Sequence, residues 1–223
     1  MHLLISKKKT YYLFLFFFLV SINNFSILNL NFPKIEKIEI SGVNITESKK
    51  IKKIINDLSF ENIFLINKSE IRKKILSLNN IEQLRIFKNY PSTLKIDIKK
   101  TKFLALTKNN GLDYFVGSNG KLIQKNDATL NLPFIFGDLN IQEFLKLKNK
   151  IDNSNFEFGQ ITNFYFFKSK RWDIEIENGV LIKLSKQNTE LSLNNALLFL
   201  NNKKFNKNLI VDARVKNQIV IHE

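Results

Sequence analysis

A chain of 223 residues, 44% of them hydrophobic, is long enough for one or two compact domains and too apolar for wholesale disorder. Seven Gly and three Pro exclude collagen-like and Pro-rich architectures, and the absence of Cys excludes disulfides and thiolate metal sites. The formal net charge of +15 invites a polyanionic partner, but the lysines are scattered, and no aromatic RNA-binding motif, zinc-finger spacing or clustered basic helix supports a nucleic-acid role.

Lys7, Lys8 and Lys9 close a short tail, residues 1–10, and precede an apolar run from Tyr11 to Val20 that weakens towards Leu30. A spanning helix needs about 20 mostly apolar residues, so the reading is a transmembrane anchor over 11–30. Tyr11 and Tyr12 fall where interfacial aromatics belong, and Phe14, Phe16, Phe17, Phe18 and Val20 complete the anchor set. The lysines put the N-terminus in the cytoplasm and the remainder outside. A cleaved signal peptide shares the charged start and apolar core, but a clear small-x-small cleavage site is missing: Ser21, Asn23 and Ser26 are the nearest candidates, and no Ala occurs before Ala105.

Pro33 ends the anchor region. Lys34 to Ile40 reads as a half-buried strand with Ile38 and Ile40 on one face, ended by Gly42. Thr46 is placed to cap a helix carrying Ile51, Ile54, Ile55 and Leu58 at helical spacing. Asn67 and Glu70 have the spacing of a capping box for a second helix lined by Ile71, Ile75 and Leu78. Strands follow over Ile81–Phe87 and Thr93–Ile98, with Asn89-Tyr90-Pro91-Ser92 as their turn; Leu94, Ile96 and Ile98 face the core and Lys95 and Asp97 the other side. Strand, helix, helix, strand, strand, with Ile38-Glu39-Ile40-Ser41-Gly42 at the start and Tyr90-Pro91-Ser92-Thr93-Leu94 in the last hairpin, resembles a POTRA domain over residues 34–101.

Residues 102–223 read as a second, β-rich domain. Leu112–Val116 and Lys121–Gln124 flank a Ser118-Asn119-Gly120 turn, and Leu132-Pro133-Phe134-Ile135-Phe136-Gly137 follows. A helix fits Ile141–Ile151, with Phe144, Leu145 and Leu147 inward. Ile161–Phe167 is an aromatic strand. Asn178-Gly179 is the strongest hairpin signal in the chain, because both turn positions favour positive φ. It joins Trp172–Glu177 to Val180–Leu184. Trp172, Ile174 and Ile176 alternate with Asp173, Glu175 and Glu177, which predicts one buried and one wet face. Leu191–Leu200 reads as a helix, and strands close the chain over Leu209–Arg214 and Gln218–His222.

The full outline resembles the FtsQ/DivIB family of bacterial division proteins. The residues that carry the resemblance are Tyr90-Pro91 through Ala105, Val116 to Gly120, Leu132-Pro133 with Gly137, Trp172 with Asn178-Gly179, and Val211-Asp212-Ala213-Arg214. Two places depart from the family pattern: Lys100 and Phe103 stand where Glu and Pro are frequent, and Asn79-Asn80-Ile81 replaces a common Pro-Trp-Val. The resemblance implies an α+β fold: one N-terminal transmembrane helix, a POTRA-type β-α-α-β-β module, and a mixed β-rich domain with two helices. It also implies an inner-membrane protein at the division septum, with its domains in the periplasm, that recruits other divisome membrane proteins, notably FtsB and FtsL. An alternative is a POTRA-bearing component of an envelope transport or assembly machine; against it, the C-terminal part is too short and uneven for a membrane barrel.

Chemistry is hard to assemble from these residues. The two histidines, His2 and His222, lie at opposite chain ends and on opposite sides of the expected membrane, so no His-based nucleophile or metal site is expected. Asp173, Glu175 and Glu177 read as a solvated strand face in preference to a glycosidase pair. Asp212 and Arg214 share a face and are spaced for an ion pair. Gly117, Gly120 and Gly137 are turn glycines with no phosphate-loop spacing. No catalytic residue, metal, cofactor or small-molecule substrate is expected.

The site expected instead is the last hairpin, acting by strand addition. Leu209, Val211, Ala213 and Val215 would face the core, with Ile219 and Ile221 inward on the final strand. Ile210, Asp212, Arg214, Lys216, Asn217, Gln218, Val220 and His222 would be left for a partner. The sequence stops at Glu223, directly after that strand, so no tail of its own is expected to cover the edge. The family resemblance implies the same edge, since its members' β domain binds FtsB along the last strand.

Overall fold

The structure, a computed structural model, describes residues 7–22, 33–56, 62–125, 129–201 and 209–222. Helix α1 spans Lys7–Ile22 and so begins on the lysines instead of at Tyr11. Lysine is a good helix former, and nothing in Lys7–Thr10 interrupts the turn. Tyr11, Tyr12, Phe14, Phe16, Phe17, Phe18 and Val20 are all exposed on it. Its 16 residues rise about 24 Å at about 1.5 Å each, against about 30 Å of bilayer hydrocarbon. Among the described residues no helix is long and apolar enough to cross a membrane. The far part of the expected anchor, residues 23–30, lies outside the described residues.

Next come β1 (Lys37–Ser41), α2 (Ile45–Ile54), α3 (Lys68–Leu76), β2 (Ile81–Asn89) and β3 (Thr93–Lys100), in the expected order. The sheet runs β1-β3-β2, with β1 parallel and β2 antiparallel to the central β3. Alternation in β3 sends Leu94, Ile96 and Ile98 into the core, where Ile51, Ile55, Ile71 and Ile75 from the two helices close over them. Ile38 and Ile40 are only half-buried because β1 is an edge strand; Ile35, just ahead of it, is buried instead. Gly42 has φ +84°, and a Cβ there would lie 1.7 Å from the Ile98 carbonyl oxygen, so the turn out of β1 admits only glycine.

The helix starts differ from expectation in detail. Asn44, not Thr46, caps α2: its Oδ1 accepts from the Glu47 N–H at 2.8 Å, and Glu47 accepts from the Asn44 N–H at 3.3 Å. That reciprocal box begins two residues early and leaves Thr46 inside the first turn. Asn67 caps α3 through the Ser69 N–H at 3.0 Å, while Glu70 pairs with Lys74 one turn on. Leu58 lies outside the described residues.

The second sheet has nine strands: β4 (Phe103–Asn109), β5 (Leu112–Gly117), β6 (Leu122–Gln124), β7 (Phe134–Phe136), β8 (Ile161–Phe166), β9 (Trp172–Ile176), β10 (Leu181–Leu184), β11 (Ile210–Ala213) and β12 (Val220–His222). Their spatial order is β12-β11-β10-β9-β8-β7-β4-β5-β6. Strand β4 escaped the sequence reading. It pairs parallel with β7 and antiparallel with β5, and its apolar stretch Phe103-Leu104-Ala105-Leu106 is at least partly buried on both faces, so it lacks the alternation that marks a half-wet strand. Helices α4 (Ile141–Asp152) and α5 (Thr189–Asn201) cover one face. Phe144, Leu147, Ile151, Leu193 and Ala196 from the helices meet Phe164, Trp172, Ile174, Ile182 and Val211 from the strands in one buried cluster. The opposite face carries no helix among the described residues.

Polar groups join the two sheets. Asn119, in the β5–β6 turn, donates to the carbonyls of Asn79 at 2.8 Å and Ile81 at 3.0 Å. Ser118 donates to Glu82 at 2.6 Å, and Lys121 Nζ donates to the Leu76 carbonyl at the end of α3. Hydrogen bonds from Lys99 and then Ser118 hold the Glu82 carboxyl below its ordinary range.

Candidate functional site

The residues singled out as a partner surface fall on β11, the following turn and β12. Leu209, Val211 and Ala213 are buried, and the Ser192 hydroxyl on α5 donates to the Ala213 carbonyl at 2.8 Å, fixing β11 under the helix. Val215 is a correction: it is 54% exposed. The strand ends at Ala213, and the chain then turns through Lys216 and Asn217, the latter at φ +59°, so Val215 never reaches the inner face. Ile221 is a second correction. It lies opposite Val211 and so shares the helix-facing side, yet it is exposed. Helix α5 packs over β10 and β11 and gives no such cover to the outermost strand. Ile219, by contrast, is partly buried against the core.

Register places the remaining residues on the open face. Ile210 pairs with His222 and Asp212 with Val220, so these four side chains share that face. Arg214, Lys216, Asn217, Gln218, Val220 and His222 are exposed, and Ile210 is half-buried. Asp212 was expected exposed and is buried, because Arg214 folds back over it. The guanidinium donates to Asp212 through Nε at 2.8 Å and Nη2 at 2.5 Å, and the Arg214 N–H adds a bond at 3.1 Å. The expected ion pair is therefore present, and it holds the Asp212 carboxyl below the usual carboxylate range.

The same open-face row continues from Asp212 through Lys183 and Asp173 to Tyr165 and Phe136. Here the predicted wet face is corrected. Asp173 is 2% exposed, Glu175 is half-buried and only Glu177 is fully exposed. Arg171 is the cause: its Nε and Nη2 donate to the two Asp173 oxygens at 3.0 and 3.2 Å while the guanidinium lies 4.3 Å from the Phe167 ring centre. Burial pushes the Asp173 carboxyl up, opposed by Arg171. Glu175 accepts from the Tyr165 hydroxyl at 2.6 Å and Asn163 Nδ2 at 2.9 Å. Burial, then that hydrogen bond, raises the Tyr165 hydroxyl to about 12. Sequence reasoning missed Arg171 and Tyr165. The signal for Arg171 was present: Arg171-x-Asp173 mirrors Asp212-x-Arg214, an opposite-charge pair two apart with the arginine just beyond the strand end.

Among the described residues, strand β12 ends the second sheet and pairs on one side only, with β11. Its opposite flank presents backbone donors and acceptors to which a further strand can pair. Among the described residues no three His, Asp or Glu side chains gather where they could hold a metal ion, and every buried side-chain nitrogen or oxygen has a hydrogen-bond partner.

Residues 34–100 match the family described as POTRA domain, FtsQ-type, and residues 105–214 match the family described as Cell division protein FtsQ/DivIB, C-terminal. The cell division protein FtsQ of Rickettsia bellii is 26% identical over 193 residues, covering 85% of this chain and 72% of the relative. The cell division protein DivIB of Clostridium botulinum is 33% identical over 145 residues, covering 63% of this chain and 53% of the relative. The solved major extracytoplasmic domain of DivIB from Geobacillus stearothermophilus is 13% identical with a TM-score of 0.33, covering 47% of this chain and 98% of that one, a likeness too slight to bear on the fold.

Proposed function

Because the chain belongs to the FtsQ/DivIB family of bacterial cell division proteins, we propose that it is a non-catalytic bitopic scaffold of the divisome. In this reading α1 and the apolar residues after it anchor the chain in the cytoplasmic membrane. The tail of residues 1–10 stays in the cytoplasm, and residues 34–101 and 102–223 form two domains outside, at the septum. Partners are other divisome membrane proteins, FtsB and FtsL by family resemblance. The match of residues 105–214 to a division family favours this reading over a transport or assembly component.

The observation that carries the reading is the free flank of β12, bordered by the exposed Val220 and His222 and by the Asp212–Arg214 pair. A partner segment added there extends the sheet through backbone bonds, with side chains on the open face setting specificity. Proline removes one backbone donor, and donors along a strand alternate between its two flanks. Val220→Pro and Ile221→Pro therefore remove one inward and one outward N–H between them. The outward variant is expected to lower capture of partner membrane proteins by up to about tenfold, as loss of one backbone bond predicts, with circular dichroism unchanged. If neither variant lowers capture, or capture falls only where the domain unfolds, strand addition at β12 is wrong. A reporter active only outside the cytoplasm, fused after residue 223, tests the topology separately.

A further inference from the structure

The first sheet has two ends, and they differ. At one end Asn79, Ile81 and Leu76 receive hydrogen bonds from the β5–β6 turn of the second sheet. At the other end the chain arrives from α1. There Pro33 accepts from the Ile63 N–H, and Lys34 bridges to Asn62. That arrival end is built around four consecutive apolar residues, Ile63-Phe64-Leu65-Ile66. The outer two are buried, at 0% and 4% exposure, whereas Phe64 is 49% and Leu65 is 80% exposed. A turn closed by the Leu65 N–H on the Asn62 carbonyl forces the inner pair outward. Phe64 stacks on Tyr90 from the β2–β3 turn at 4.7 Å, and Tyr90 is itself 58% exposed. Lys88 Nζ donates to the Phe64 carbonyl at 2.9 Å, so the tip is held in this shape.

Exposed apolar residues so placed call for an occupant, and charge and reach indicate which one. Lys34 and Lys68 are exposed beside the tip, with Lys88 behind it. Among the described residues, Glu36, a carboxylate on the strand side, is engaged by the Ser92 hydroxyl at 3.0 Å. Eleven residue steps separate Ile22, the end of α1, from Pro33; at about 3.3–3.6 Å per residue they span at most about 40 Å. An aromatic pair, a leucine and a lysine rim within reach of a membrane-held helix match what bilayer interfaces select: amphipathic rings at headgroup depth and cations near anionic lipid.

We propose that this tip, formed by Phe64, Leu65 and Tyr90 with Lys34, Lys68 and Lys88, is a membrane-docking surface that seats on the anionic headgroup layer of the bilayer holding α1. The inference rests on the anchor reading of α1 given above. Seating the tip sets the first module against the membrane and directs its other end, with the second sheet attached, away from the bilayer.

The cysteine-free sequence makes single-cysteine spin labels direct reporters. The full chain is placed in nanodiscs of phosphatidylcholine with phosphatidylglycerol, labelled in separate samples at Leu65→Cys, at Ile45→Cys, and at Phe16→Cys within α1. Ile45 is 78% exposed and lies at the module's opposite end. The expected result is a Leu65 label shielded from a water-soluble nickel chelate and accessible to oxygen, with the Ile45 label fully open to the chelate. Lys34→Gln and Lys68→Gln each lower the ratio of seated to free tip about fivefold. A Leu65 label as open as that at Ile45, beside a shielded Phe16 label, overturns the docking surface and leaves the anchor standing. An open Phe16 label overturns the anchor and this inference with it. Shielding unchanged without phosphatidylglycerol overturns the anionic assignment, and shielding in lipid-free detergent that grows with protein concentration assigns the tip to a second copy instead.

Discussion

Replacing Arg171 by Ala isolates a buried charge pair in the second sheet. Asp173 is 2% exposed, and both its oxygens are engaged by the Arg171 guanidinium at 3.0 and 3.2 Å. Removing the guanidinium leaves a buried carboxylate with a backbone hydrogen bond from Leu184 and the charge of Lys183 as its remaining favourable interactions. Losing one partner of a buried pair costs about 3–5 kcal/mol, a large part of a domain's net stability of about 5–15 kcal/mol. The cost must depend on pH in a definite direction. Burial already raises this carboxyl, and the substitution raises it further. The penalty is therefore smallest below the parent's own raised folded value, grows by up to about 1.4 kcal/mol per pH unit between that value and the variant's still higher one, and levels off above the latter. Trp172, the sole Trp and buried next in sequence to Arg171, supplies the assay: urea unfolding of the full chain in detergent, followed by its fluorescence from pH 4 to pH 7. Arg171→Ala should differ little from the parent at the acid end and most at neutral pH. Arg171→Ala combined with Asp173→Asn should recover most of the loss, because the amide carries no charge to bury. A loss under about 1 kcal/mol at pH 7, a loss independent of pH, or one untouched by Asp173→Asn would refute this account.

Ile96→Ala in β3, where Ile96 is fully buried, should cost about 2–5 kcal/mol. Lys95→Ala, half-buried on the other face with Asp97 3.9 Å away, should stay within about 0.5 kcal/mol; equal urea midpoints would contradict the strand phase. Arg214→Ala should move the Asp212 carboxyl upward in a carbon-13 NMR titration, since the Arg214 bond is the largest cause of its depression. Asp212's contribution to stability is present above the ordinary carboxylate range and lost as pH falls through its lowered value, so a carboxyl that does not move would remove Arg214 from that role. Asn119→Ala deletes two hydrogen bonds between the sheets; faster proteolysis near Lys102 with both sheets still folded is the expected outcome, and an unchanged cleavage rate would show that the junction does not depend on it.

Local periodicity determined a great deal of this protein. Alternation in Thr93–Ile98, helical spacing in Ile71 and Ile75, and the Asn-Gly turn at 178–179 each follow from the geometry of a single element, so they were readable from neighbouring residues alone. The Asp212–Arg214 pair was equally local, being two residues apart at the end of one strand. Tertiary structure decided what depends on position within a sheet. Strand β4 could not be read from alternation, because Phe103, Leu104, Ala105 and Leu106 are apolar on both faces and all at least partly buried, and the same alternation that placed Asp173 with the wet residues could not show that Arg171 would cover it. Val215 and Ile221 carry the residue types of core positions; only the end of β11 at Ala213 and the limited reach of α5 leave them exposed. The exposed pair at Phe64 and Leu65 is the clearest case. Four consecutive apolar residues specify burial by their chemistry, and it took a turn pinned to Asn62 and Pro33 to bury two and expose two, because backbone direction, not side-chain type, sets which of them reach the core.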